Sequence, residues 1–416
     1  MLKRLLAILC CVACVALSGC SFIWPDAGKS GTSSDSFYVP PAQLREYQDK
    51  WCYQRLDGRL QKAYSAVYAA VKKSFSNDET VTISDTDKGE KREYPGVQVT
   101  LPEPLQGEAE AKKLYAAFTR DNPQFFYIGN VYGFDGHQSG GSSRFTAFKL
   151  VYTMNAAERK EARIALDAVV DDLISVLSET ATDFEKELAL HDALAARCTY
   201  DGTAAGAAAP AETYPEAFSA YGALVQGRAV CEGYARAMQL LLHEAGIPST
   251  VVTGFDENRQ PHMWNFVTID GRNYHLDVTW DDSGDQIRHT YFNLTSRDIL
   301  QTHSLDEENE GIDTCTATEA NYFTRTGAYF NSYLVDDIVR VVARQVKAGA
   351  KTIELRFAPD KLQNGTLFVR NTNWFSETVS SKLGDEAMWP YDYEVNQTYS
   401  IITITKKQEE SLDGTA

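Results

Sequence analysis

One stretch limits the fold more than any other: "PHMWNFVTIDGRNYHLDVTWDD", residues 261–282. Asp270-Gly271 is a two-residue turn signal between two β-rich runs, which predicts a tight hairpin. With Ile269 paired to Arg272, every paired couple sums to 541. Trp264 then faces Asp277, and His262 faces Thr279. His262 and Asp277 fall diagonally on one face, roughly 7–8 Å apart at the backbone, within reach of a side-chain hydrogen bond. Trp264 and His275 share that face. Met263, Val267, Ile269, Tyr274, Leu276 and Val278 make the other face apolar, with Asn265 its clearly polar member. A slip of one residue would destroy the division.

Just upstream lies "GRAVCEGYARAMQLLLHEAGIP", residues 227–248. Ala235, Met238, Leu242 and Ala245 recur at helical spacing. Gly246 and Pro248 mark a stop. The helix therefore begins near Cys231. A helix start carries free N–H groups and partial positive charge, and both favour thiolate over thiol. A nucleophilic cysteine needs a base, and the base needs an orienting group. Cys231, His262 and Asp277 supply those three residue types, with His275 as second choice for the base.

Together, "AVCEGYARAMQLLLHEAGIPSTVVTG", "HMWNFVTIDGRNYHLDVTWDD", the upstream "LHDALAARCTYD" and the downstream "YFNLTSRDI" resemble the transglutaminase-like superfamily. The similarity covers about 183–303 and is strongest to bacterial exported members. It implies an α+β, papain-like core: a helix carrying the cysteine packed on an antiparallel sheet carrying His and Asp. The family's triad falls on Cys231, His262 and Asp277. Met263 stands where relatives often carry a smaller residue. The implied chemistry is acyl transfer from a carboxamide or peptide to Cys231, ending in hydrolysis or transamidation. Tyr221 and Gln226 are candidates for the second oxyanion donor, beside the Cys231 N–H. Trp264 is a candidate wall of the site. A non-catalytic protein- or cell-wall-binding module on the same fold is the alternative. No cofactor is expected. A metal site built from His289, His303 and Cys315 has no supporting ligand spacing.

The N-terminus points to export. Lys3 and Arg4 precede a short apolar run, and Leu17-Ser18-Gly19-Cys20 resembles the bacterial lipobox. Residues 1–19 then form a lipoprotein signal peptide. Cys20 is the lipidated residue that fixes the chain, extracytoplasmically, to a bacterial membrane. The Ser-, Gly- and Asp-rich residues 20–39 read as a tether. The net charge of −17 argues against nucleic acid as a partner and leaves a protein or peptide substrate. Cys52, Cys198 and Cys315 stand outside the site, and their pairing is open.

The rest of the chain divides into an N-terminal α+β region (40–155), the catalytic core (156–317) and a small C-terminal α+β module (318–416). Leu60, Tyr64, Val67 and Val71 form one helical stripe. Further helices are expected over 107–121 and 156–178, and Thr182 with Glu185 forms a capping box before another. "DGHQSGGSS" is expected as a loop before the β-rich 144–154. "DGTAAGAAAPAET", 201–213, is expected as a mobile surface loop without core side chains. In the C-terminal module, a helix is expected over 332–349 and strands at 351–358 and 399–407.

Overall fold

A computed structural model describes residues 50–85, 90–139, 142–284, 286–307, 309, 311–384 and 386–408. The signal peptide, Cys20, the tether and residues 40–49 lie outside them. No helix among the described residues is long and apolar enough to cross a membrane.

The helical stripe forms as its spacing requires. Helix α1 (Gly58–Ser74) starts at Asp57, whose carboxylate accepts from the N–H groups of Arg59 and Leu60. It buries Leu60, Tyr64, Val67 and Val71. Strands β1 (Thr80–Asp85) and β2 (Glu90–Gln106) follow, then α2 (Glu108–Asp121), β3 (Ile128–Ser139) and β4 (Ser142–Tyr152). The four strands make an antiparallel sheet in the order β1-β2-β4-β3. The expected loop at 135–143 is mostly strand: Asp135 to Ser139 pair with β4.

Helix α3 (Ala156–Ser175) and helix α4 (Asp183–Arg197) each begin in a full capping box, Asn155 with Glu158 and Thr182 with Glu185. Helix α5 (Cys231–Glu244) comes next. Strands β5 (Ser249–Asp256), β6 (Pro261–Ile269), β7 (Arg272–Leu276) and β8 (His303–Leu305) form a second antiparallel sheet, ordered β8-β5-β6-β7. Helix α5 packs on β5 and β6. It is buried on nearly every side, with Tyr234, Ala237, Met238, Leu241 and Leu242 wholly enclosed. It ends as its sequence requires: Gly246 takes φ 79°, and Ile247 N–H bonds back to Leu242.

The 201–213 stretch is not a bare loop. Asp201 accepts from the N–H groups of Thr203 and Ala204 and starts one helical turn, Gly202–Ala205; Pro210 starts another, Pro210–Thr213. Ala204 is fully buried against Ala217 and Val230. A methyl group is enough to build a contact where backbones approach closely.

Two compact units divide between Asn321 and Tyr322. Residues 45–321, which the sequence divides at 155/156, form one unit. Polar ties cross that expected boundary. The buried Arg159 guanidinium donates to the carbonyls of Ser74, Phe75, Asn77 and Met154. Arg236 and Gln239 of α5 donate to the carbonyls of Thr119 and Arg120 at the end of α2.

The second unit is built on a sheet ordered β9-β10-β12-β11: β9 (Tyr329–Phe330), β10 (Thr352–Phe357), β11 (Tyr391–Asn396) and β12 (Ile401–Lys406). The expected helix is α6 (Val335–Lys347). The sequence reading lacked α7 (Leu362–Arg370), α8 (Thr372–Leu383) and β11, which complete the core around Ile338, Val342, Leu355, Phe368, Phe375 and Ile402.

Candidate active site

The start of α5 is pinned from three sides. Thr199 and Tyr200 pair in parallel with Arg228 and Ala229. The Val230 N–H donates to the Ala217 carbonyl, 3.0 Å. At Gly233 a Cβ would sit 2.5 Å from the Ala217 oxygen and 2.7 Å from the Ala229 methyl, so only glycine lets the helix come this close. Val230, the residue before the helix, offers no side-chain cap. The first-turn N–H groups around Cys231 thus keep their positive character. Cys231 itself is half-buried, whereas Cys198 and Cys315 are buried.

The hairpin takes the expected register. Asp270 and Gly271 have φ 50° and 72°, the two left-handed residues of a type I′ turn. The pairs run from Ile269–Arg272 to Asn265–Leu276. The expected pairing of Trp264 with Asp277 is corrected, because β7 ends at Leu276. Asp277 leaves the sheet and caps the helical turn Val278–Asp281, its Oδ1 accepting from Thr279 N–H (3.0 Å) and Trp280 N–H (3.3 Å). This swing brings Oδ2 to 2.7 Å from Nε2 of His262. The face read as polar is also buried: Trp264, Phe266 and His275 are at most 1% exposed. Helix α5 meets the opposite face, where the Asn265 amide donates to the Ala235 carbonyl.

Cys231 lies close enough to the His262 ring to favour its protonated form. Since Nε2 serves Asp277, Nδ1 is the nitrogen left for sulfur. Burial alone would drive the proton off His262. The Asp277 carboxylate outweighs it, by charge and by hydrogen bond, and Cys231 adds to the effect, so the imidazole is held protonated up to about 10. Asp277 is completely enclosed, which favours its neutral acid. The charge of His262 and the hydrogen bonds from His262 and His303 overcome this and hold the carboxyl well below its usual range. Burial raises Cys52, with the Asp121 charge adding to it, and pushes Cys198 up to about 12 and Cys315 to about 11.

Trp264 is buried against the site, its ring 6.0 Å from the His262 ring and its indole N–H donating to Nδ1 of His275. It supports the imidazole from beneath. Tyr221 stacks on Phe126 at 5.4 Å and has Glu216 and Glu161 as its charged neighbours. Gln226 ends the wide turn Gly222–Gln226, before the left-handed Gly227.

Three residues near the site were missed. Tyr200 is 44% exposed, and burial with the charges of Cys231, Asp256 and Asp277 pushes its phenol up to about 12. Trp280 lies against His262 at 5.8 Å. His303 contacts the same oxygen of Asp277 that His262 uses, 3.1 Å away. The "CTYD" motif holds Tyr200, but spacing alone could not show that a two-residue strand would set it beside Cys231.

His289, His303 and Cys315 do not converge among the described residues. His289 bonds to Asp192, and the Cys315 N–H donates to Ser296. Two other groups do bring nitrogen and oxygen atoms within 4.8 Å: His262, Asp277 and His303, and His191, Asp192 and His289. In each, the nitrogens facing the carboxylate already hydrogen-bond to it, so both close as hydrogen-bond clusters.

The family model described as Transglutaminase-like superfamily matches residues 173–278. A comparison with curated proteins gives no match. Among solved structures, the chain is similar to a TGase, at 18% identity and TM-score 0.26, over 45% of this chain and 52% of that one. It is also similar to a candidate cysteine protease from Cytophaga hutchinsonii, at 13% identity and TM-score 0.23, over 36% and 63%. A third is a candidate protease from Parabacteroides distasonis, at 12% identity and TM-score 0.21, over 36% of each chain. The chain thus spans about half the length of the first of these. Residues 173–278, which carry Cys231, His262 and Asp277 within an α+β unit, thus match the model of the Transglutaminase-like superfamily.

Proposed function

We propose that this chain is a cysteine acyl-enzyme of the cell envelope, acting on peptide or carboxamide bonds as a protease, amidase or transamidase. The observation that carries the reading is the 2.7 Å hydrogen bond of His262 to Asp277, with Cys231 at an uncapped helix start acting on the same imidazole. His262, held as the imidazolium with its charge facing Asp277, stands beside the Cys231 thiolate. The thiolate adds to the carbonyl carbon. The resulting oxyanion is met by the Cys231 N–H at the uncapped helix start, with the Tyr200 phenol as the second donor in reach of the site. Collapse expels the amine, which takes the proton back from His262, and leaves a thioester on Cys231. Water or a second amine then gives its proton to His262 and attacks the thioester; collapse releases the acid or a new amide and restores the imidazolium–thiolate pair. Lipidation at Cys20 would hold this activity at a membrane surface; loss of lipid labelling in Cys20→Ser tests that part.

The test of the chemistry is capture. The full chain is incubated with a library of peptides and cell-wall fragments, quenched in acid and digested. Acyl adducts on the Cys231 peptide, absent in His262→Ala, are expected. No adduct from any amide or ester substrate, with the Cys231 thiol intact, would favour a binding module on the same fold.

A further inference from the structure

We infer that His303 is a positioning residue of this site: it shares Oδ2 of Asp277 with His262, fixes the carboxylate and tempers its pull on the His262 proton. The inference rests on the acyl-enzyme reading above and adds a fourth side chain to it. His303 sits on edge strand β8, where Leu305 pairs with Gly254. A Cβ at Gly254 would clash with the Ser304 carbonyl and lie 2.8 Å from the Trp264 ring, so β8 is pressed onto β5 as only glycine permits. The His303 ring is buried in a box of rings: Trp280 at 4.6 Å, Trp264 at 5.0 Å, His262 at 5.1 Å and Tyr291 at 5.6 Å.

Its tautomer follows from its partners. The Asp277 carboxylate can only accept, so Nε2 of His303 carries a proton and donates to it at 3.1 Å, while Nδ1 lies 2.9 Å from the Thr302 hydroxyl. Asp277 therefore accepts four hydrogen bonds, two backbone N–H groups on Oδ1 and two imidazoles on Oδ2. The carboxylate cannot rotate without breaking them. An oxygen shared by two donors holds each less tightly than it would hold one alone. The titratable groups around the pair are Cys231 on α5, Tyr200 ahead of it, Asp277 and Tyr291 beyond β7, and His275 on β7.

The test reads the His262 charge directly and needs no substrate. Rates of Cys231 alkylation by anionic iodoacetate and neutral iodoacetamide are compared from pH 5 to 11, in the full chain, by peptide mass spectrometry. Their ratio is high while the imidazolium stands beside the thiolate and falls as it loses its proton. In His303→Leu, with the second donor gone, the fall should move to higher pH by on the order of half a pH unit. His303→Gln, which keeps an N–H donor, should restore the original midpoint. A folded His303→Leu with an unmoved midpoint overturns the inference, since a merely structural residue would change stability and not the His262 titration. If His303→Leu does not fold, Thr302→Val takes its place; it removes the hydroxyl at Nδ1, and an unmoved midpoint there overturns the inference equally. A wild-type ratio that is flat throughout would remove the imidazolium–thiolate pair, and with it both readings. A falling wild-type ratio that His303→Leu leaves in place removes only the role of His303.

Discussion

Asp277→Asn isolates the charge of the acid while sparing its place in the fold. The asparagine Oδ1 can still accept from Thr279 and Trp280, since asparagine is as good an N-cap as aspartate. Its amide then faces His262 and His303 with N–H against N–H, or forces His262 into the tautomer that puts a proton on the thiol side. The His262 proton is held from the ordinary 6.5 up to about 10, a net of about 5 kcal/mol at about 1.4 kcal/mol per pH unit, so Asp277 and Cys231 together supply at least that much against burial. If Asp277 supplies somewhat over half, its charge is worth about 3 kcal/mol, or about a hundredfold in the imidazolium–thiolate population near neutrality. Iodoacetamide labelling of Cys231 at pH 6–7 should therefore slow about a hundredfold, with reactivity returning only as the thiol ionises without help at higher pH. Thermal unfolding checks that the variant is folded. A folded Asp277→Asn that labels at the wild-type rate across pH 5–8 would refute the claim that Asp277 holds the imidazolium.

Further outcomes follow from other groups. In the native protein, Cys231 should be alkylated far faster than Cys52, Cys198 or Cys315, whose thiols burial holds protonated; quantitative peptide mapping at pH 7 reads the order. Arg159→Met removes four carbonyl-directed donations across the 155/156 boundary and should cost at least about 3 kcal/mol in a denaturant titration, because the carbonyls of Ser74 and Met154 stay buried without it. Glu187 is buried with its carboxyl pushed up to about 8, chiefly by burial, against the Asn293 amide. Being raised above the unfolded value near 4.5, it costs stability progressively as pH climbs from about 4.5 through 8. Glu187→Gln should flatten that slope in melting temperature. Gly233→Ala should label more slowly at Cys231, since the added methyl pushes the helix start off Ala217.

Much of the site could be read from order and register. The Asp270-Gly271 turn determines every pair on β6 and β7, because a two-residue loop leaves no freedom of alignment. The helix start at Cys231 follows from apolar spacing and Gly246. What spacing could not reveal is where a chain goes after its strand ends. Asp277 was read one residue too far into the sheet because "HLDVTW" alternates like a strand, yet the aspartate's own capping bonds turn the backbone away. His303 lies 26 residues further on and returns through an edge strand of three residues, too short to carry a pattern. The helices α7 and α8 escaped notice because each carries a residue that weakens a helical reading, Gly365 in one and Thr378 among serines in the other.

The carboxylate of Asp277 supports both the fold and the chemistry. It ties down a helical turn with one oxygen and two imidazoles with the other, so its removal strands four donors at once, the two imidazoles buried and the two N–H groups partly so. Cys231 carries no such structural role, for its side chain stands half-buried over a helix that forms without it. A descendant of this chain that abandoned catalysis could therefore lose the thiol early, with little loss of stability, while keeping the acid for the sake of folding. Among such proteins, an aspartate at the foot of this hairpin testifies to architecture, and the thiol alone testifies to chemistry.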